Sequence, residues 1–306
     1  MMSEQIESKK KTMMIAGANG FIGRYLSRYF MKLGWNVLGL SRRETGLAQG
    51  VEMVKWDGET LEPSWAERLN EVDVLINLVG RTINCRHNAV NKKQIMDSRI
   101  VSTTLLGEAV QASKYPPEVW MNASASSIYK PTRERRQTES DGEIGENFMA
   151  EVAIKWEEVF FDAQVDKSVR KIALRTTLVM ADEEGTVLDI LKGLARKYLG
   201  GTLGDGGQMV SWIDIEDYCR AVEWMIENKD ASGPYNLGAP HALTNKEMMK
   251  RVREKEGVSF GLPAFEWMLE IGAFFMQTEA ELMIGSSWVY PERLLEEGFV
   301  FEREEF

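Results

Sequence analysis

Residues 12–33 read TMMIAGANGFIGRYLSRYFMKL, and no other stretch of this chain narrows the possible folds as much. Met13, Met14, Ile15 and Ala16 form a short apolar run of the kind a buried parallel strand uses. Gly17, Gly20 and Gly23 follow. From Phe21 and Ile22 onward, Tyr25, Leu26, Tyr29, Phe30 and Leu33 recur at helical spacing, and Gly34 is placed to end the helix. Strand, glycine-rich turn and helix in that order make a phosphate cradle. The missing side chains let backbone approach a pyrophosphate, and the helix N-terminus offers free N–H groups and partial positive charge.

Behind that turn, apolar runs alternate with helical patterns. Strands are expected at 36–40, 51–54, 72–78, 119–122 and 171–179. Helices are expected at 65–69, 91–113 and 148–161. This alternation predicts an α/β fold with a doubly wound parallel Rossmann sheet. After about residue 180 the rhythm changes to helices at 187–198, 217–227, 245–255 and 265–276, with strands at 208–213 and 235–237 and a last turn or two at 291–297. The expected organisation is a flexible tail over 1–11, a dinucleotide-type domain over 12–180, and a smaller α+β substrate lobe over 181–306, interleaved with the first.

A net charge of −10 argues against a nucleic-acid partner, and Lys9, Lys10 and Lys11 sit in the polar tail. No apolar stretch of roughly 18 residues suggests a membrane span. Two cysteines, Cys85 and Cys219, are too few for a disulfide framework, so a cytoplasmic protein is expected, as monomer or homodimer. The two histidines, His87 and His241, fit no metal-ligand spacing. The match GVSFG at 257–261 to a nucleophile elbow follows a helix rather than a strand and carries no chemistry. Cys85 beside Arg86 lies just past the strand at 72–78, where a lowered thiol pKa competes with an ordinary loop role.

The glycines are spaced GxxGxxG, not the commoner GxGxxG. GANGFIG resembles the extended branch of the short-chain dehydrogenase/reductase superfamily, which holds epimerases and dehydratases. A narrower resemblance, to an atypical epimerase-like group with its own small C-terminal module, is carried by NLVGR at 77–81, KQIMDSRIVSTT at 93–104, FMAEVAIKWEE at 148–158, QMVSWIDIED at 208–217 and YNLGAP at 235–240. It implies that Gly17, Asn19, Gly20, Phe21, Ile22 and Gly23 line a pyrophosphate. It also implies that Leu78, Val79 and Gly80 flank the adenosine, that Gln94 and Arg99 face the cofactor, and that Val179 lies near the nicotinamide. Leu78, Val79 and Val179 fit a plain core nearly as well.

An NAD-preferring site carries a carboxylate after the second strand, where this chain has Ser41, Arg42 and Arg43. Guanidinium and hydroxyl groups suit a 2′-phosphate, so the expected cofactor is NADP(H), against the alternative of solvated loop arginines. The superfamily's usual catalytic YxxxK is absent, because none of the eight tyrosines has lysine four residues on. Phe148, Met149 or Ala150 stands where the resemblance would put the tyrosine. Ser124, Ser126 and Tyr129 remain as catalytic candidates, with Glu151 and Lys155 as further candidates that could equally pair with each other on a helix surface. Gln208 and Trp212 are substrate-side candidates, and Trp212 would otherwise plug the joint between lobes. Two functions follow: an oxidoreductase or epimerase acting on a carbonyl or alcohol, sugar nucleotides among the candidate substrates, or a non-catalytic NADP(H) sensor or scaffold.

Overall fold

The glycine-rich turn sits at the centre of a seven-stranded parallel sheet in a computed structural model that describes residues 10–268, 270, 277, 279 and 285–306. Its first six strands are β1 (Thr12–Ala16), β2 (Asn36–Ser41), β3 (Glu52–Lys55), β4 (Val74–Asn77), β5 (Val119–Ala125) and β6 (Arg170–Thr176). Four short strands follow: β7 (Leu178–Met180), β8 (Met209–Val210), β9 (Trp212–Asp214) and β10 (Gly233–Leu237), with β11 (Leu243–Thr244) last. The order across the sheet is β10-β6-β5-β4-β1-β2-β3. The order in which strands are added therefore switches sides between β1 and β4, which creates a crevice at the strands' carboxyl ends.

All five residues of β1 are buried, because helices cover both faces. Met13 and Ile15 pack with Leu26 and Phe30 of α1 (Phe21–Lys32) and with Tyr218 and Val222 of α6 (Ile215–Glu227). Met14 and Ala16 point the other way, to Leu106 and Val110 of α3 (Ala89–Ala112) and Phe160 of α4 (Phe148–Asp162). The helices are anchored by local chemistry. Asn88, Asn147, Thr186, Asp214 and Thr244 each accept a backbone N–H at a helix start, and Thr244 forms a capping box with Glu247 of α7 (Asn245–Lys255). At the other ends, neighbouring residues of β6 serve opposite faces. Lys171 donates to three carbonyls at the end of α4, and Arg170 to four at and just beyond the end of α6.

Several expected elements come out differently. The single strand expected over 171–179 breaks at Thr177, whose N–H and hydroxyl both bond the Leu237 carbonyl, so that β7 leaves the sheet to pair with β9. The strand expected over 208–213 is likewise split at Ser211, which bonds the backbone of Ser287 and Val289. The helix expected over 65–69 is a turn of α2 (Pro63–Ala66) followed by a 3-10 turn (Glu67–Glu71). Beyond residue 180 the chain returns to the large sheet: β10 is its edge strand and α6 covers it. The separate small core holds Met180, Trp212, Ala239, Leu243 and Met248, under α5 (Val187–Arg196) and α7. The tail at 1–9 and most of the helix expected over 265–276 lie outside the described residues.

Candidate cofactor cleft and active site

A cleft of about 960 Å³ opens over the carboxyl ends of β1 to β4. Its floor is Gly17, Asn19 and Gly20. Gly17 has φ +83, a left-handed conformation that favours glycine, and a side chain there would also meet the backbone of Leu78. A Cβ on Gly23 would lie 2.5 Å from the Gly17 carbonyl oxygen and 2.8 Å from Ala18 Cα. The third glycine is therefore required by the close seating of α1 on the turn rather than by any ligand. Arg24 steadies the same turn, donating to the Asn19 carbonyl at 3.2 Å and pairing with Glu183 at 2.7 Å.

One wall is formed by Leu40, Ser41, Arg42 and Arg43, with residues 56–59 at the outer end. The Ser41 hydroxyl donates to the Arg43 carbonyl at 2.7 Å, which fixes the turn after β2. Among the described residues neither Arg42 nor Arg43 makes an ion pair. The nearby carboxylate of Asp57 is occupied by the N–H groups of Glu59 and Thr60, and these hydrogen bonds hold its carboxyl below the usual carboxylate range. Trp56 Nε1, on the same wall, is buried without a hydrogen-bond partner among the described residues.

The opposite wall is 78–82 together with Gln94, Asp97, Ser98 and Val101 of α3. Asn77 pins its start: Oδ1 accepts from the Val79 N–H, while Nδ2 donates to Thr103 and Asn122. Arg99 lies beneath this wall. Its guanidinium packs under Gly80 and over the Trp156 ring and donates to the carbonyls of Arg81 and Ile95, and burial pulls its pKa down to about 10. Phe21, Ile22 and Val179 are half-buried against the large apolar cluster and do not line the cleft.

Ser124 and Tyr129 belong to a buried chain of hydrogen bonds. Ser124 Oγ donates to Glu157 at 2.6 Å, and Glu157 is held in a two-pronged pair by Arg175 at 2.9 and 2.8 Å. Arg175 also donates to the Tyr129 hydroxyl at 2.7 Å, which in turn donates to Asn236 at 2.9 Å. Burial raises the Tyr129 pKa against the opposing pull of Arg175. Ser126 lies in the 3-10 turn Ser126–Ile128, half-buried, and its hydroxyl has no partner among the described residues. Phe148 opens α4 under the His87 ring and the Lys92 ammonium, at 5.3 and 4.8 Å. Lys155 pairs with Glu158 at 2.8 Å, not with Glu151. On the far lobe, Trp212 is core, its Nε1–H donating to the His241 carbonyl and its ring edge-on to Phe306. Gln208 is buried, with Nε2 donating to the Leu203 carbonyl and Oε1 unpartnered among the described residues.

The model of the NAD dependent epimerase/dehydratase family matches residues 13–238. The chain belongs to this family. YfhF of Bacillus subtilis strain 168, an epimerase family protein, is 30% identical over 94% of this chain and 92% of its own length. SERP0438 of Staphylococcus epidermidis, another epimerase family protein, is 32% identical over 75% of each chain. The human epimerase family protein SDR39U1 (isoform 2), solved with NADPH, superposes with a TM-score of 0.83 at 25% identity over 96% of both chains. A UDP-glucose 4-epimerase of Thermus thermophilus, solved with NAD, shares the fold at TM-score 0.73 and 18% identity over 95% and 94% of the chains.

In this family member the sequence signals missed part of the cleft: residues 56–59, Arg81, Thr82, Asp97, Ser98 and Val101. The run WDGE after β3 offered a hint only of a turn ending that strand, since Asp-Gly favours turns. Among the described residues no cluster of His, Cys, Asp or Glu could hold a metal ion, and no helix is long and apolar enough to cross a membrane.

Proposed function

We propose that this chain is an NADP(H)-dependent oxidoreductase or epimerase acting at a carbonyl or alcohol carbon. The observation that carries it is the pair Arg42 and Arg43, without an ion pair among the described residues, on the wall of a cleft whose floor is the glycine-rich turn that leads into α1. Such guanidinia suit a 2′-phosphate, and the glycine turn suits the pyrophosphate. The human relative solved with NADPH supports the same cofactor. Gly17, Asn19, Gly20, Ser41, Arg42, Arg43, Leu78 and Val79 would hold it, and when bound a nicotinamide supplies hydride exchange with a carbon centre.

The chain's own part is proton handling. Tyr129 has its hydroxyl engaged on both sides and buried. Ser124 commits its O–H to a hydrogen bond with Glu157, so it presents only lone pairs to any other group. Ser126 is the candidate hydroxyl left without a partner among the described residues, and we assign it the proton exchange with substrate.

NADPH turnover against sugar nucleotides, quinones and small carbonyls tests this reading. Turnover abolished in Ser126→Ala with NADPH binding intact supports it. Tight NADPH binding without turnover on any member of the panel favours the second reading, a cofactor sensor, which the engaged Tyr129 and the missing Tyr–Lys pair already support.

A further inference from the structure

We infer that Arg81 is a second anion contact of the cleft, one that reads the pyrophosphate of the bound dinucleotide rather than its 2′-phosphate. The inference rests on the dinucleotide reading above.

Arg81 lies just past the end of β4 and lines the cleft on the wall opposite Arg42 and Arg43. Its backbone is fixed on both sides: the N–H donates to Ser98 Oγ at 3.0 Å, and the carbonyl accepts from Arg99 at 3.2 Å. Its guanidinium is aimed by two neutral oxygens, Gln94 Oε1 and Asn91 Oδ1, the latter at 2.9 Å. Neither partner carries charge, and Arg81 makes no ion pair among the described residues. The one carboxylate on the same wall, Asp97, pairs with Lys93. A held guanidinium with N–H donors to spare and no counter-charge is a site for an anion.

Position decides which anion. β2 and β3 lie on one side of β1, and β4 on the other. Arg42 and Arg43 follow β2, the glycine turn follows β1, and Arg81 follows β4. A dinucleotide crossing the crevice at this switch point has its 2′-phosphate over the β2 side and its pyrophosphate over the glycines, between the two walls. Arg81 therefore faces the pyrophosphate from the side away from Arg42.

Calorimetric titration of the full chain with NADPH and NADH separates these roles. Arg81→Gln should weaken both cofactors by the same factor, roughly tenfold, and Arg81→Lys should restore part of the loss to both. Arg42→Ala should weaken NADPH alone. The inference is overturned if Arg81→Gln leaves both affinities unchanged, or if it weakens only NADPH, which would make Arg81 a 2′-phosphate contact. It also falls, together with the dinucleotide reading, if the wild-type chain binds neither cofactor. Arg81→Gln keeps the backbone bonds and loses only the partly exposed side-chain bonds to Gln94 and Asn91, so the apo melting midpoint should fall little. Should that variant unfold, Arg81→Lys carries the same comparison, with a loss confined to NADPH counting against the inference.

Discussion

Arg42 and Arg175 carry the same guanidinium into opposite surroundings. Arg175 lies inside the molecule at the end of β6, clamped by both oxygens of Glu157 and bonded to the Tyr129 hydroxyl. Arg42 lines an open cleft with no ion-pair partner among the described residues. A buried cation that lacks a partner is expensive, so the fold supplies one from α4 and joins Ser124, Tyr129 and Asn236 to the same chain. A solvated cation can remain unpaired until a ligand arrives. The chain's chemistry-bearing residues thus divide into those that hold the strand ends together and those left free to bind.

Breaking the buried side should give the largest effect. Glu157→Ala leaves Arg175 without its counter-charge and should lower stability by about 3–5 kcal/mol in urea denaturation. A loss under about 1 kcal/mol would mean that the network does not hold β5, β6 and α4 together. Next comes Gly23→Ala, whose added methyl meets the Gly17 carbonyl oxygen at 2.5 Å. It should destabilise by about 1–3 kcal/mol and weaken NADPH more than about tenfold, because the turn itself must move. Unchanged binding with a lower melting midpoint would confine Gly23 to packing. Arg42→Ala should leave the denaturation curve in place while costing NADPH affinity about tenfold relative to NADH. Smallest of all is Lys155→Ala, which removes an exposed pair with Glu158 and should move neither the denaturation midpoint nor the cofactor titration.

The same division explains what could be read from the sequence. The cradle was legible because it is local: strand, glycines and helix lie within a few turns of chain, and Gly17 and Gly23 are glycine for backbone reasons that spacing alone suggests. The α/β alternation was legible for the same reason. The Ser124–Glu157–Arg175–Tyr129 chain was not, since its members come from β5, α4, β6 and the turn after β5, and only the sheet order brings them together. Ser124 and Tyr129 read as catalytic because a hydroxyl at a strand's carboxyl end looks alike whether it meets a substrate or a buried carboxylate. Trp212 posed the same ambiguity, and its indole went to the core. Lys155 had acidic neighbours within helical reach at both Glu151 and Glu158, and spacing alone could not choose between them. Residues 56–59 escaped notice because their place in the cleft depends on β3 pairing beside β2, a long-range fact.

The most direct test of the division is to titrate the wild-type chain with NADPH and with NADH under identical conditions. Arg42 and Arg43, without ion pairs among the described residues, predict NADPH binding at least roughly tenfold tighter than NADH, the worth of one charge-assisted contact to a 2′-phosphate. Equal affinities, or a preference for NADH, would contradict it and return both arginines to the solvent.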